Sequence, residues 1–88
     1  MEDWIEVIGL LAGLLGVSGW YPQVRRVWFE KKADGISVPT FIIIAVSLVL
    51  WLTFGVLRNS IAIITANVFA LIMITSIAIG AYRLQTVT

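Results

Sequence analysis

The chain has 88 residues, of which 60% are hydrophobic and 12% charged, with a net charge of +1 and a mean hydropathy of +1.03. A soluble domain this small must cover a large surface with charge, and a disordered chain needs low hydrophobicity, so both classes are excluded. Neither cysteine nor histidine occurs, which excludes disulfides, thiol chemistry and the usual zinc and haem ligands; no cofactor or metal is expected.

The composition leaves a membrane protein, and the chain divides into three apolar spans. A hydrocarbon core of about 30 Å takes about 20 apolar residues of helix. The first span runs from about Trp4 to Val24 and ends in Trp20-Tyr21-Pro22-Gln23. Glu2, Asp3 and Glu6 stand where a signal peptide carries positive charge, so this span is expected to be retained. A charged connector follows, with Arg25, Arg26, Lys31 and Lys32, and Asp34-Gly35 as a turn signal. Ser37 is placed to cap the next helix, with Pro39 in its first turn. The second span, Val38 to Leu57, and the third, Ile61 to about Tyr82, carry no charge and are joined by the tight Arg58-Asn59-Ser60 connection. These spans, 4–24, 38–57 and 61–82, make a single all-α transmembrane domain over residues 1–88.

Five cations, Arg25, Arg26, Lys31, Lys32 and Arg83, lie on one side of the spans and only Arg58 on the other. The positive-inside rule therefore predicts a cytoplasmic connector and C-terminus, and an outward N-terminus. Trp4, Trp28 and Tyr82 fall near span ends, where aromatic belts form. No basic face is large enough to suggest nucleic acid.

The polar and small residues inside the spans carry what functional signal there is. Gly9, Gly13 and Gly16 fall within about 60° on one helix face and predict close helix packing. Pro22 removes a donor that would reach the Ser18 carbonyl; the apolar residues after it favour a helix that continues, with Pro22 as an interior kink and hinge. Gln23 beside it is placed to satisfy the freed carbonyl. Asn67 is the one carboxamide deep in a span and needs a partner or a polar cavity; alone it serves interhelical bonding and ligand contact equally. Trp51 lies roughly 10 Å from its span end, deeper than interfacial tryptophans sit. With Thr40, Ile44, Ser47, Phe54 and Arg58 it forms one stripe, read either as a helix seam or as the lining of a path. An indole to stack on a ring and an amide for hydroxyls suit a neutral polyol such as a sugar. No ionisable residue lies deep in any span, which disfavours ion-coupled transport, charged substrates and catalysis; the protein is not expected to be an enzyme.

Pro22-Gln23 near the end of the first of three spans resembles the PQ-loop signature. Trp51 and Asn67, sixteen residues apart on the second and third spans, resemble the binding-pocket pair of the SemiSWEET bacterial sugar transporters. The resemblance covers the chain from about Glu6 to Tyr82. It implies three-helix protomers paired in parallel as a homodimer, with the sugar path between them, in a bacterial inner membrane. It implies that Trp51 and Asn67 contact a mono- or disaccharide, that Pro22 with Gln23 is the hinge, and that transport is facilitative and bidirectional, by alternating access. Several family members close the outer gate with tyrosine, arginine and aspartate; here Phe54, Arg58 and Ser60 occupy those positions. With the aspartate lost, Arg58 is expected to close the gate against Glu6 or Asp3, within or across protomers, or against backbone carbonyls at helix ends; the alternative is that it only snorkels and supports topology. Two alternatives remain at this stage: a small assembly subunit of a membrane complex, and a PQ-loop carrier of another small solute.

Overall fold

A computed structural model of the chain describes residues 3–86. It is built from α1 (Asp3–Ser18), α2 (Tyr21–Trp28), α3 (Val38–Leu57) and α4 (Ile61–Thr86). Three helical stretches, α1 with α2, α3, and α4, are long and apolar enough to cross a membrane. The 16 residues of α1 rise only about 24 Å, so the first crossing needs α2 to complete it.

The junction of α1 and α2 differs from the continuous, kinked helix expected of the sequence. The helix stops at Ser18, and the amides of Gly19 and Trp20 turn back to the carbonyls of Gly16 and Val17 at 3.2 and 2.9 Å. Such i→i−3 bonds tighten a helix end. A new helix then opens at Tyr21 with Pro22 in its first turn, where a missing N–H leaves no bond unmade. Pro22 is thus the start of α2 and not the interior of a longer helix. Glycine ahead of it and proline within the first turn together favour a stop and restart over a bend.

The connector is folded by local turn chemistry. Gly35 takes a φ of 78° in a turn closed by the Ile36 amide donating to the Ala33 carbonyl at 3.2 Å. Gln85, from the last turn of α4, donates its side-chain amide to the carbonyls of Ala33 and Ile36 at 3.3 and 2.8 Å. Ser37 caps α3, its hydroxyl accepting from the Thr40 amide, and Pro39 sits in the first turn, as the sequence predicts.

The α3–α4 corner is a Schellman closure. The Ser60 amide donates to the Gly55 carbonyl and the Asn59 amide to the Val56 carbonyl. Asn59 holds the left-handed position at φ 53°, which asparagine tolerates better than most residues.

α4 lies between α1–α2 on one side and α3 on the other. Its Ile74, Ile77 and Ala81 have no exposed surface. Small residues set the helix spacing: a Cβ at Gly13 would come within 2.6 Å of the Ala66 Cβ, and one at Gly9 within 3.2 Å of the Ala62 Cβ. Gly16, expected to share that face's packing, meets nothing within 4 Å, although its neighbour Val17 is buried. The protomer is a slab of 52 × 21 × 14 Å, about one helix layer thick.

Candidate functional site

Because α3 and α4 run antiparallel from one tight corner, depth can be read by counting from a contact. A Cβ at Gly55 would press on Ile63, its Cγ2 at 2.6 Å, so these two residues face each other. One turn deeper along each helix stand Trp51 and Asn67, at the same level below the corner. Asn67 is half-buried, and its amide nitrogen donates to the Ile63 carbonyl of its own helix at 2.8 Å. That bond uses one donor and leaves the side-chain oxygen and the second N–H for another partner. Trp51 and Asn67 share no hydrogen bond.

Trp51 is 53% exposed and makes an edge-to-face contact with Phe54 at 5.7 Å. With Ser47 and Leu50 these rings line an open depression of about 360 Å³. Asn67 does not line that depression. The Arg58 guanidinium lies over the Phe54 ring at 6.0 Å, so Trp51, Phe54 and Arg58 climb one face of α3 toward the corner. A larger groove of about 540 Å³ runs between α3 and α4 on the opposite face of α3, from Val38 past Val49 and Ile79 to Tyr82. Its wall is almost wholly aliphatic and offers hydroxyl-bearing solutes little to bond.

Gln23 is half-buried, and its side-chain oxygen is buried with no hydrogen-bond partner among the described residues. Nor does its amide nitrogen donate to the Ser18 carbonyl among the described residues, so the bond expected to satisfy that carbonyl is not made in this conformation. The break is closed by backbone bonds instead: the Trp20 carbonyl accepts from the amides of both Gln23 and Val24 at 3.1 Å.

Within the protomer Glu6 is engaged at the corner and not by Arg58. The Glu6 carboxylate accepts from the Ser60 hydroxyl at 3.0 and 3.3 Å and from the Ala62 amide at 3.0 Å. Ser60 is buried and in turn accepts from the Ile63 amide at 3.2 Å. Two of the four free donors at the start of α4 are thus capped, one by its own serine and one by an acid from α1. An oriented row of amides outcompetes a solvated arginine for that carboxylate. Asp3 is exposed and has no ion pair among the described residues; Glu2 lies outside them. The sequence shows an acid near a span start, but its partners are 54 and 56 residues away and carry no charge to announce them.

Trp28 also has a fixed place that its sequence position did not reveal. Its indole donates to the Ser76 carbonyl at 3.1 Å, and the Arg83 guanidinium lies 6.0 Å from its ring centre. Gly80 makes room for it: a Cβ there would come within 2.5 Å of Val27 and 3.0 Å of the indole.

Residues 5–85 match the family described as sugar efflux transporter for intercellular exchange. A sugar transporter SemiSWEET of Leptospira biflexa is 38% identical over 72 residues, 82% of this chain and 85% of that protein. One from Escherichia coli is 27% identical over 71 residues, 81% of this chain and 80% of that protein. The crystal structure of a bacterial homologue of SWEET transporters superposes with a TM-score of 0.86 at 34% identity, covering 93% of this chain and 99% of that one. A match along nearly the whole chain, on a bundle of three membrane-spanning helical stretches, places it among transporters and not among enzymes. This membrane-embedded chain belongs to the SemiSWEET family of sugar transporters.

Proposed function

We propose that this protein is a facilitative, bidirectional sugar transporter that works by alternating access as a parallel homodimer in a bacterial inner membrane. A mono- or disaccharide is held mid-membrane by Trp51 and Asn67 of both protomers. The observation that carries this reading is an exposed indole and a half-buried amide with unused bonding capacity, at one depth, in a protomer 14 Å thick. A slab one helix thick cannot enclose a sugar, so a second copy must supply the facing wall. Two copies in one orientation give a two-fold axis along the membrane normal, so each lining residue appears twice.

The indole face stacks on the C–H face of a pyranose, and the Asn67 amide both donates to and accepts from hydroxyls. Deep in the spans there is no ionisable group to carry a coupled proton. The Lys and Arg bias puts the N-terminus outside and the C-terminus in the cytoplasm. Phe54 and Arg58 then stand at the outer mouth, and Pro22 with Gln23 at the joint that lets α2 swing against α1.

Flux of labelled sugars into liposomes tests the reading, with wild type beside Asn67→Ala and Trp51→Ala. Losing a polar partner of a bound hydroxyl costs about 1–3 kcal/mol, so affinity should fall about 5- to 150-fold. Normal flux in both variants at normal abundance would put the site elsewhere. Absence of any sugar flux in wild type would remove the function itself.

A further inference from the structure

Beside the proposed sugar path, and independent of it, lies a second candidate site at the far end of the bundle. A cavity of about 200 Å³ is lined by Trp28 and Lys31 from the α2 end and by Gly80, Arg83 and Leu84 from α4. Its floor is rigid: Val27 is buried, and the Trp28 indole is tied to the Ser76 carbonyl. Its two charged side chains are both cations, and neither has a carboxylate partner among the described residues. Lys31 is held in the left-handed region at φ 57°. Trp28 is also the shared wall with a second depression of about 510 Å³, which continues along α4 past Ser76, Thr75, Ile72 and Leu71.

Depth separates the two compartments. Counting from Ile61, about 20 residues of α4 span a 30 Å hydrocarbon core, which brings its far edge to about Gly80. The basic cavity at Gly80–Leu84 therefore sits at headgroup level. The groove from Ile79 back to Leu71 lies in hydrocarbon. An occupant that fills both must carry an anion at one end and an acyl chain at the other. A soluble anion has no use for the groove, and a neutral lipid has none for the paired cations.

We infer that Lys31, Arg83 and Trp28 form a binding site for an anionic phospholipid, its phosphate between the two cations and one acyl chain along the α4 groove. A cation near an anionic headgroup typically contributes about fivefold in binding, so losing both should cost roughly 10- to 30-fold.

The test counts lipids retained by the purified full-length protein, using native mass spectrometry after exchange from mixed phosphatidylglycerol and phosphatidylcholine micelles. This readout does not depend on transport. Wild type should retain phosphatidylglycerol in preference to phosphatidylcholine, and Lys31→Gln with Arg83→Gln should lose that preference. Arg25→Gln with Lys32→Gln removes the same charge outside the cavity and should keep it. Circular dichroism checks that each variant is folded; single Lys31→Gln replaces the site double variant, and single Lys32→Gln the control, where either is not, both side chains being exposed. Equal loss in both double variants would mean a diffuse surface field and overturn the site. So would an unchanged preference in Lys31→Gln with Arg83→Gln, no preference in wild type, or displacement of the lipid by inorganic phosphate.

Discussion

Glu6 joins three elements through single atoms. One carboxylate on α1 closes the Schellman corner after α3 by holding Ser60, and caps α4 by holding the Ala62 amide. Glu6→Ala leaves a buried hydroxyl and an amide without their acceptor, at about 1–3 kcal/mol. Glu6→Gln keeps a carbonyl oxygen in the same place and loses only the charge at the helix start, about 0.3–1 kcal/mol. Thermal unfolding in detergent should rank wild type, Glu6→Gln and Glu6→Ala in falling order; equal loss in the two variants would mean that charge, not acceptance, matters. Asn67 and Trp51 could be singled out in the sequence because a carboxamide and a deep indole are anomalies in an aliphatic span. Glu6 was legible as an outer acid, but its role was not. Opposite charge is the only long-range pairing a sequence displays, and the partners here are a hydroxyl and a backbone amide.

The elements are joined by small residues whose effect depends on what faces them. Gly80 and Gly16 look alike in sequence, both being glycines inside apolar runs. Gly80→Ala drives a methyl group onto Val27 and the Trp28 indole, and such overpacking costs about 1–3 kcal/mol. Gly16→Ala meets open space within the protomer and gains up to about 1 kcal/mol in helix propensity. Unfolding measurements on the two variants should move in opposite directions. The Pro22 joint follows the same logic. The two helices fail to merge in part because residue 22 has no N–H to offer the Ser18 carbonyl, so Pro22→Ala restores one of the bonds that a fused helix needs. At about 1 kcal/mol for that bond, bending should become rarer and turnover should fall about fivefold with sugar affinity unchanged. Unaltered turnover in liposomes would remove the hinge role. The three spans and their caps are readable because uncharged apolar length, Ser37 and Asp34-Gly35 are local signals. The stop at Ser18 was read as a bend because the sequence weighs proline more visibly than the glycine three residues before it.

For the whole molecule the thickness of 14 Å decides what must happen next. Trp51 and Phe54 are 53% and 47% exposed on one broad face, beside Ser47. Ile72 is exposed on the opposite side of the slab, in the groove of α4 that faces away from Trp51. If two protomers meet across the Trp51 face in parallel, Ser47 lies opposite its own copy at equal depth, because a two-fold axis along the membrane normal preserves height. Ile72 then points to lipid. The chain has no cysteine, so a single introduced thiol reports without background. Ser47→Cys should give a dimer with a short bifunctional thiol crosslinker in native membranes, and Ile72→Cys should stay monomeric. An antiparallel pair would separate the two Ser47 positions in depth unless they happened to lie at the midplane, and Phe54→Cys, nearly two turns nearer the corner, breaks that degeneracy. Crosslinking at both Ser47 and Phe54 fixes the parallel arrangement. Crosslinking at Ile72 alone would put the interface on the other face, and would move the sugar path away from Trp51 with it.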